Sequence, residues 1–456
     1  MAKTVKKRGL DMLSGPIWNK LPIFALPVAA TAILEQLFNA SDVAVVGNFA
    51  GSDKTLAVAA VGANTAVIGL IISLFVGIAL GANVVIANAI GRGDGNAVKR
   101  AVNTSVLISV IGGFIVCVIG EIIASPLMRL LQVPDDVFPS ALLYLRIYLA
   151  GMPVILLYNF EAAIFRSVGD TKTPLIALAA SGVLNVILNL FFVIVLKMTV
   201  NGVAIATVVS NALSSAVLFI RLLHTDKEIK VEIKDLKFDG EAFRKIIKIG
   251  LPAGIQGAVF ALSNIIIQSA INSLGKVVMA ASSAAYNIEI LAYDVLNSFS
   301  QACTTFVGQN FGARKIDRCK KTLYLCLLED LVATLSAVGL VLLFGRFLLS
   351  LFNSDPEVID IGYTRLAIIL SAYVFSMIYD IISGYLRGFG ISLVPSLLTI
   401  AGVCGIRIFW ISVVFPQSPT FRTIMNVYPV SLGTTAFLIF LSLLFYRPAR
   451  KYSKRN

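Results

Sequence analysis

Several carboxylates in this chain stand where their neighbours offer no water. Glu35 and Asp42 share one apolar run, Glu161 lies in another, Glu289 and Asp294 in a third, and Asp380 in a fourth. An ionisable group in such a run is costly and marks an ion or substrate pathway by default. Glu121 lies close to the end of its run and reads as interfacial. Glu35, Asn39 and Asp42 fall at i, i+4 and i+7, so they form one polar stripe on a helix. Asn185 and Asn189 form an i, i+4 pair on a later helix, and Thr207 comes early in the next. A carboxylate among amide and hydroxyl oxygens suits a proton or Na⁺. Burial favours its neutral form and a nearby donor or cation favours its charged form, so small rearrangements can load or unload it. The alternative is a structural polar network joining three helices. The expected cation-coupling set is Asp42, Asn185, Asn189 and Thr207, and no metal is expected beyond Na⁺ near Asp42.

A second set lies further along. Tyr286, Glu289 and Tyr293 share a helix face, as do Ser376, Asp380 and Ser383. Acids with aromatic neighbours suit an organic cation, through charge pairing and cation–π contact. Aromatic packing with a polar network is the competing account. The candidate substrate-cavity residues are Glu35, Asn39, Glu161, Gln256, Tyr286, Glu289, Tyr293, Asp294 and Asp380.

Other chemistries find no support. The single histidine, His224, lies in a polar stretch, which removes most metal centres and His-based triads. There is no GxxxxGK[ST] phosphate loop, so ATP is not the energy source within this chain. The GRGD at 91–94 reads as a Gly-rich turn between two runs. The five cysteines are scattered without a CxxC, and they read as small apolar fillers. No catalytic residue and no cofactor are expected, and the chain does not read as an enzyme.

These residues need elements to hold them. Of 456 residues, 57% are hydrophobic and only 14% are charged, against roughly 25% charged in a soluble domain. The mean hydropathy is +0.87. Apolar runs fall at about 21–48, 62–89, 101–124, 141–164, 174–196, 202–220, 246–272, 279–306, 322–350, 361–386, 392–415 and 427–446. Each spans a bilayer and must be helical, because the runs lack the two-residue alternation of barrel strands. The net charge of +13 gathers in alternate loops, the pattern of an oriented membrane protein and not of a nucleic-acid binder. Twelve spans, an even number, put both termini in the cytoplasm. The first apolar run follows a basic lead and is too long for a cleavable signal peptide. The expected setting is the cell (inner) membrane, with lipid and small organic substrates as partners and a monomeric chain.

The spans also repeat. ANAIGRGDGNAVKR (87–100) aligns with GQNFGARKIDRCKK (308–321), an offset of 221. The same offset pairs LQVPDDV (131–137) with FNSDPEV (352–358), and Tyr158, Arg166, Gly169 and Pro174 with Tyr379, Arg387, Gly390 and Pro395. Two parallel six-helix repeats follow, related by an axis along the membrane normal. The expected domains are a first bundle at 1–220, a cytoplasmic linker at 221–246, and a second bundle with a basic tail at 247–456. Pro27 and Pro252 pair at a near offset inside the first span of each half, and they are candidate hinges or static kinks. Gly77/Gly81 and Gly250/Gly254 have the GxxxG spacing of close helix packing, expected within the chain.

With these features in hand, the chain resembles the multidrug and toxic compound extrusion (MATE) family. The matching stretches are SDVAVVGNFAG (41–51), FRSVGDTKTPL (165–175), LNVILNLFFV (184–193), NGVAIATVVSN (201–211), FVGQNFGARK (306–315) and SGYLRGFG (383–390). The resemblance implies an all-α integral membrane fold, with two six-helix bundles forming a V that faces alternate sides of the membrane. It also implies efflux of cationic amphipathic compounds in exchange for H⁺ or Na⁺. Asp42 matches the acid of the family's first helix, and Asn185 and Thr207 match its polar partners. Asn189 stands where many members carry a second acid, and Asp380 stands one turn past Ser376, where many members carry theirs. Two other readings compete. A flippase or exporter of lipid-linked saccharides or another metabolite would carry more cavity Arg and Lys than Arg365 and Arg407. A membrane enzyme or receptor belongs to a different class and would need a catalytic set or no buried acids.

Overall fold

A computed structural model describes residues 9–51 and 54–453. Lys3, Lys6, Lys7 and Arg8 of the basic lead, and Lys454 and Arg455 of the tail, lie outside the described residues. The first half comprises α1 (Lys20–Phe49), α2 (Lys54–Arg92), α3 (Gly95–Leu130), α4 (Phe138–Ala150), α5 (Met152–Ser167), α6 (Lys172–Leu190) and α7 (Val200–His224). The second comprises α8 (Gly240–Asn272), α9 (Lys276–Gly312), α10 (Ile316–Ser350), α11 (Pro356–Ser371), α12 (Tyr373–Gly388), α13 (Leu393–Gln417) and α14 (Phe421–Tyr446), with a short α15 (Pro448–Ser453) after it. Nine of these helices are each long and apolar enough to cross a membrane, and two bent pairs, α4 with α5 and α11 with α12, pass together. The twelfth crossing is α9, whose Ser, Thr, Asn and Gln residues and two acids dilute its apolar content. The protein is therefore an all-helical, twelve-span membrane fold made of two six-helix repeats.

The repeat extends to backbone detail. The bent pairs break at Gly151, by 51°, and at Ala372, by 44°, positions separated by the offset of 221. The left-handed turn at Gly93 (φ 69°) recurs at Arg314 (φ 58°), and that at Gly169 (φ 78°) recurs at Gly390 (φ 81°). The GRGD stretch is such a turn, and Asp94 closes it by accepting a 2.9 Å hydrogen bond from the Ala97 N–H at the start of α3. Asp239 caps α8 in the same way through Ala242, at 2.7 Å. The 221–246 stretch is tied to the first half. Lys99 reaches Glu232 and Asp235, and Asn103 Nδ2 donates to the Asp235 carbonyl.

The halves meet along α2 and α8, and here glycine is required. A Cβ on Gly77 would sit 2.1 Å from the Gly254 nitrogen, and one on Gly81 would sit 2.4 Å from the Ile246 carbonyl. The two GxxxG spacings face each other, so peptide packs on peptide. The seam continues between α2 and α9, where a Gly91 Cβ would meet the Gln309 carbonyl at 1.9 Å. Hydrogen bonds pin it: Thr305 Oγ1 donates to Asn83 Oδ1 (3.0 Å), Gln309 Nε2 to the Ser167 carbonyl (2.6 Å) and Arg166 Nη1 to Gln301 Oε1 (3.2 Å). The 9–20 segment adds a strap, with the Met12 carbonyl accepting from Asn310 and Arg318 and the Leu13 carbonyl from Lys315.

The halves also exchange helix ends. In α1, Leu21, Phe24, Ala25 and Val28 are buried in the core of the second half, with Phe24 edge-on to Phe306 at 6.0 Å. Beyond Pro27 the same helix packs into the first half through Leu34, Phe38, Val45 and Val46. In α8, Ala242, Ile246 and Ile249 are buried in the first half, whereas Ile267, Ala270 and Ile271 belong to the second. Each helix changes partners close to its internal proline.

Candidate functional site

Three helices of the first half bring one acid together with its polar partners. Asp42 projects from the C-terminal third of α1 and is 5% exposed. Asn189 Nδ2 donates to Asp42 Oδ1 at 2.6 Å, and Thr207 Oγ1 donates to Oδ2 at 2.9 Å. Asn189 Nδ2 also reaches Asn185 Oδ1 (3.1 Å), and Asn185 Nδ2 faces Thr207 Oγ1 at 3.5 Å. The i, i+4 spacing of the two asparagines on α6 puts both amides over the one carboxylate. Immediately after Asn189 the backbone widens into a π-helical turn, Phe191–Val195. Asn189 Oδ1 is buried without a partner, and Asp42 has no Lys or Arg within ion-pair distance among the described residues. The result is a carboxylate ringed by neutral oxygens and amides. That is chemistry for a proton or a hard monovalent cation. Among the described residues no group of three or more His, Cys, Asp or Glu is placed to hold a metal.

The second half contains a cavity of about 630 Å³, walled by α8, α9, α11, α12, α13 and α14, with α2 of the first half closing one side. Gln256, Tyr286, Glu289, Tyr293 and Asp380 of the expected set line it. Glu289 is not a free acid. Its Oε2 accepts from Arg365 Nε and Nη2, both at 2.9 Å, and its Oε1 accepts from Tyr373 Oη at 3.3 Å. Arg365 also donates to Ser282 Oγ at 2.7 Å. The pair is nearly dry, so its Coulomb gain is set against desolvation of both charges. Asp380 is less engaged. Tyr293 Oη approaches its Oδ2 at 3.4 Å, and its backbone carbonyl accepts from Ser300. Gln256 Oε1 accepts from Arg387 Nη2 at 2.7 Å, and Arg387 is the repeat counterpart of Arg166, which donates to Gln301 across the seam.

Four of the expected cavity residues lie elsewhere. Glu161 is fully buried between α5 and α7, where Ser215 Oγ donates to its Oε2 at 2.9 Å. Its apolar neighbours in the first-half core separate it from the cavity. Glu35 and Asn39 are accessible on α1 and do not line the 630 Å³ space. Asp294 is half-buried on α9, outside that space.

Two features escaped the sequence reading. Asp330 on α10 is fully buried, with Oδ1 bonded to Thr334 Oγ1 at 3.1 Å and Oδ2 unpartnered beside Glu329. Both acids stand inside the 322–350 run, so the rule that selected Asp42 would have found them. Arg407, which the sequence ties only to a lipid-linked saccharide cargo, lines the cavity and is 2% exposed. It sits between two π-helical turns of α13, Ile400–Gly405 and Trp410–Val414.

Comparison with known proteins bears on this architecture. The MatE family model matches residues 27–191 and again 252–411, beginning at the two prolines and covering well over half of the chain. A probable multidrug resistance protein, YoeA, of Bacillus subtilis (strain 168) is 28% identical over 402 residues, covering 86% of each chain. A probable multidrug resistance protein, NorM, of Thermotoga maritima is 26% identical, covering 96% of this chain and 94% of its own. Among solved structures, an outward-facing multidrug resistance MATE family transporter of the MOP superfamily superposes with a TM-score of 0.90 at 22% identity. That match covers 99% of this chain and 100% of the other.

Proposed function

The chain belongs to the MatE family of multidrug efflux transporters, and on that premise we propose that it is a secondary active exporter working by alternating access. It moves organic, cationic amphipathic compounds out of the cell in exchange for H⁺ or Na⁺. The observation that carries the reading is the Asp42 carboxylate, dry and held only by neutral Asn189 and Thr207. Such a group binds a cation or a proton reversibly, whereas an ion-paired acid such as Glu289 is already neutralised. Asp42, Asn185, Asn189 and Thr207 form the coupling site. The cavity of the second half takes the cargo, with Tyr286, Tyr293 and Asp380 facing the cationic body.

The bundles 1–220 and 247–456, joined by the 221–246 linker, rock against each other. Pro27 and Pro252 are the hinges, because each stands where its helix passes from one half to the other. The closed seam lies at the end that bears the basic loops, so the V opens toward the opposite side. The positive-inside pattern places that basic end, with both termini, in the cytoplasm of an inner-membrane protein. The chain works as a monomer, since both GxxxG spacings are occupied within it.

The test is purified protein in liposomes, with Na⁺ and pH gradients imposed separately and uptake of a fluorescent organic cation followed. One gradient is expected to drive transport, and Asp42→Asn is expected to abolish the drive while substrate still binds. Ion-driven transport that survives in folded Asp42→Asn protein would falsify the coupling assignment.

A further inference from the structure

The cavity is lined by two acids, Glu289 and Asp380, and two arginines, Arg365 and Arg407. Arg365 is matched by Glu289 at 2.9 Å. Arg407 has no carboxylate within ion-pair distance among the described residues. A buried guanidinium with no acid is costly, and it persists where another group completes it.

The surroundings of Arg407 show which side is left open. Its guanidinium carbon lies 4.4 Å from the ring centroid of Tyr428 and 5.1 Å from that of Phe260, so aromatic faces cover it. In its plane, Nη1 donates to Asn264 Oδ1 at 3.2 Å and Nε donates to Ser431 Oγ at 3.4 Å, both long. A guanidinium has five N–H donors arranged as a fork that matches a planar oxyanion. The remaining donors, Nη2 among them, have no bonded protein acceptor among the described residues. The π-helical turn Ile400–Gly405 just before Arg407 changes the helical register at this residue. Arg407, Asn264, Phe260 and Tyr428 all line the same cavity.

We infer that Arg407 is an oxyanion subsite. The cargo of this transporter carries a carboxylate or phosphate beside its aromatic, cationic body. That group takes the free edge of the guanidinium while the cargo's ring packs near Phe260 and Tyr428. The inference rests on the cavity being the cargo site, and it refines that reading: the preferred cargo is zwitterionic, and a purely cationic amphipath leaves Arg407 unanswered.

The experiment uses Nε-dansyl-lysine and its methyl ester at about pH 6, where the α-amine of each is protonated and the two differ in the oxyanion. Binding is read by fluorescence polarisation with the full chain in lipid nanodiscs and no gradient. The free acid is expected to bind roughly tenfold more tightly than the ester, the worth of one hydrogen-bonded charge pair. Arg407→Gln should bring the ratio of the two affinities close to one. Arg407→Lys keeps the charge and loses the fork, so it should give an intermediate ratio, and it reports on the site if the glutamine protein does not fold. Competition by 1-naphthoate or by 1-naphthyl phosphate supports the subsite, and the stronger competitor names the oxyanion. A wild-type protein that binds acid and ester alike overturns the proposal, as does an Arg407→Gln protein that weakens both by the same factor. The transport reading fails separately: acid-selective binding with no gradient-driven movement of either probe overturns transport and leaves the subsite standing.

Discussion

Replacing Gly77 by alanine should pry apart the closed end of the molecule. The added Cβ would lie 2.1 Å from the Gly254 nitrogen and 2.2 Å from its Cα, where ordinary contact begins near 3.4 Å. The obstacle is backbone, so no rotamer change can relieve it, and α2 and α8 must separate by about 1.3 Å at this point. Forced overpacking typically costs about 1–3 kcal/mol. That cost falls on the state in which the seam is shut and vanishes when it opens. A bias of that size moves a two-state equilibrium by about 5- to 150-fold. Spin labels on cysteines at Arg92 and Arg314, both exposed beside the seam, report the separation by pulsed electron resonance. Wild-type protein should give a short distance, and Gly77→Ala should show a large second population at longer distance. Gly339→Ala is the control, since a Cβ there meets nothing within 4 Å. A folded Gly77→Ala protein with the wild-type distance distribution would show that the seam is not the barrier between states.

Two further predictions concern charges. Arg365→Gln or Glu289→Gln alone strands a buried charge and should destabilise the second half by about 3–5 kcal/mol. The Arg365→Met, Glu289→Met double variant should recover much of that loss in thermal unfolding, and a double variant as unstable as the singles contradicts the pairing. On the polar side of the membrane, Lys99 anchors the linker. Its hydrogen bond holds Asp235 below the ordinary 3.8, and Asp235 in turn raises Lys99 above 10.5. The acid's contribution is present above pH 3.8 and is lost as pH falls through its lower folded value. The lysine's contribution is present below pH 10.5 and is lost as pH rises through its higher one. Hydrogen exchange of residues 226–239, corrected for intrinsic rate, should therefore stay flat across that window and weaken with added salt. A transition inside the window means that other groups hold the linker.

Span count and duplication were legible because bilayer length and a constant offset are one-dimensional signals. The same offset also governs backbone detail, since the breaks at Gly151 and Ala372 and the turns at Gly93 and Arg314 obey it. The cluster around Asp42 was also within reach, because an i, i+4 amide pair and one acid on an apolar helix have few other uses. The Arg365–Glu289 pair was not, because 76 residues separate the partners and nothing local in either helix points to the other. Burial decided the fate of Glu161: periodicity marks a polar face but cannot say whether that face meets a cavity or the packed interior. The exchange of helix ends was invisible for a related reason. Hydropathy tells that Leu21 and Phe24 are apolar, and it does not tell which half receives them.

That exchange has a consequence for how the molecule is made. Residues 21–28 are translated early, while the α9 surface that receives them, around Phe306, emerges some 280 residues later. At about 5–20 residues per second, roughly 15–60 s pass before the partner exists. In water, an apolar face left bare that long would invite aggregation. In a bilayer the acyl chains solvate it at little cost, because lipid is as apolar as the missing helix. The newborn first half can wait in the membrane with its leading turns unclaimed, and the last step of biogenesis becomes a lateral docking in which lipid is squeezed out from between the halves.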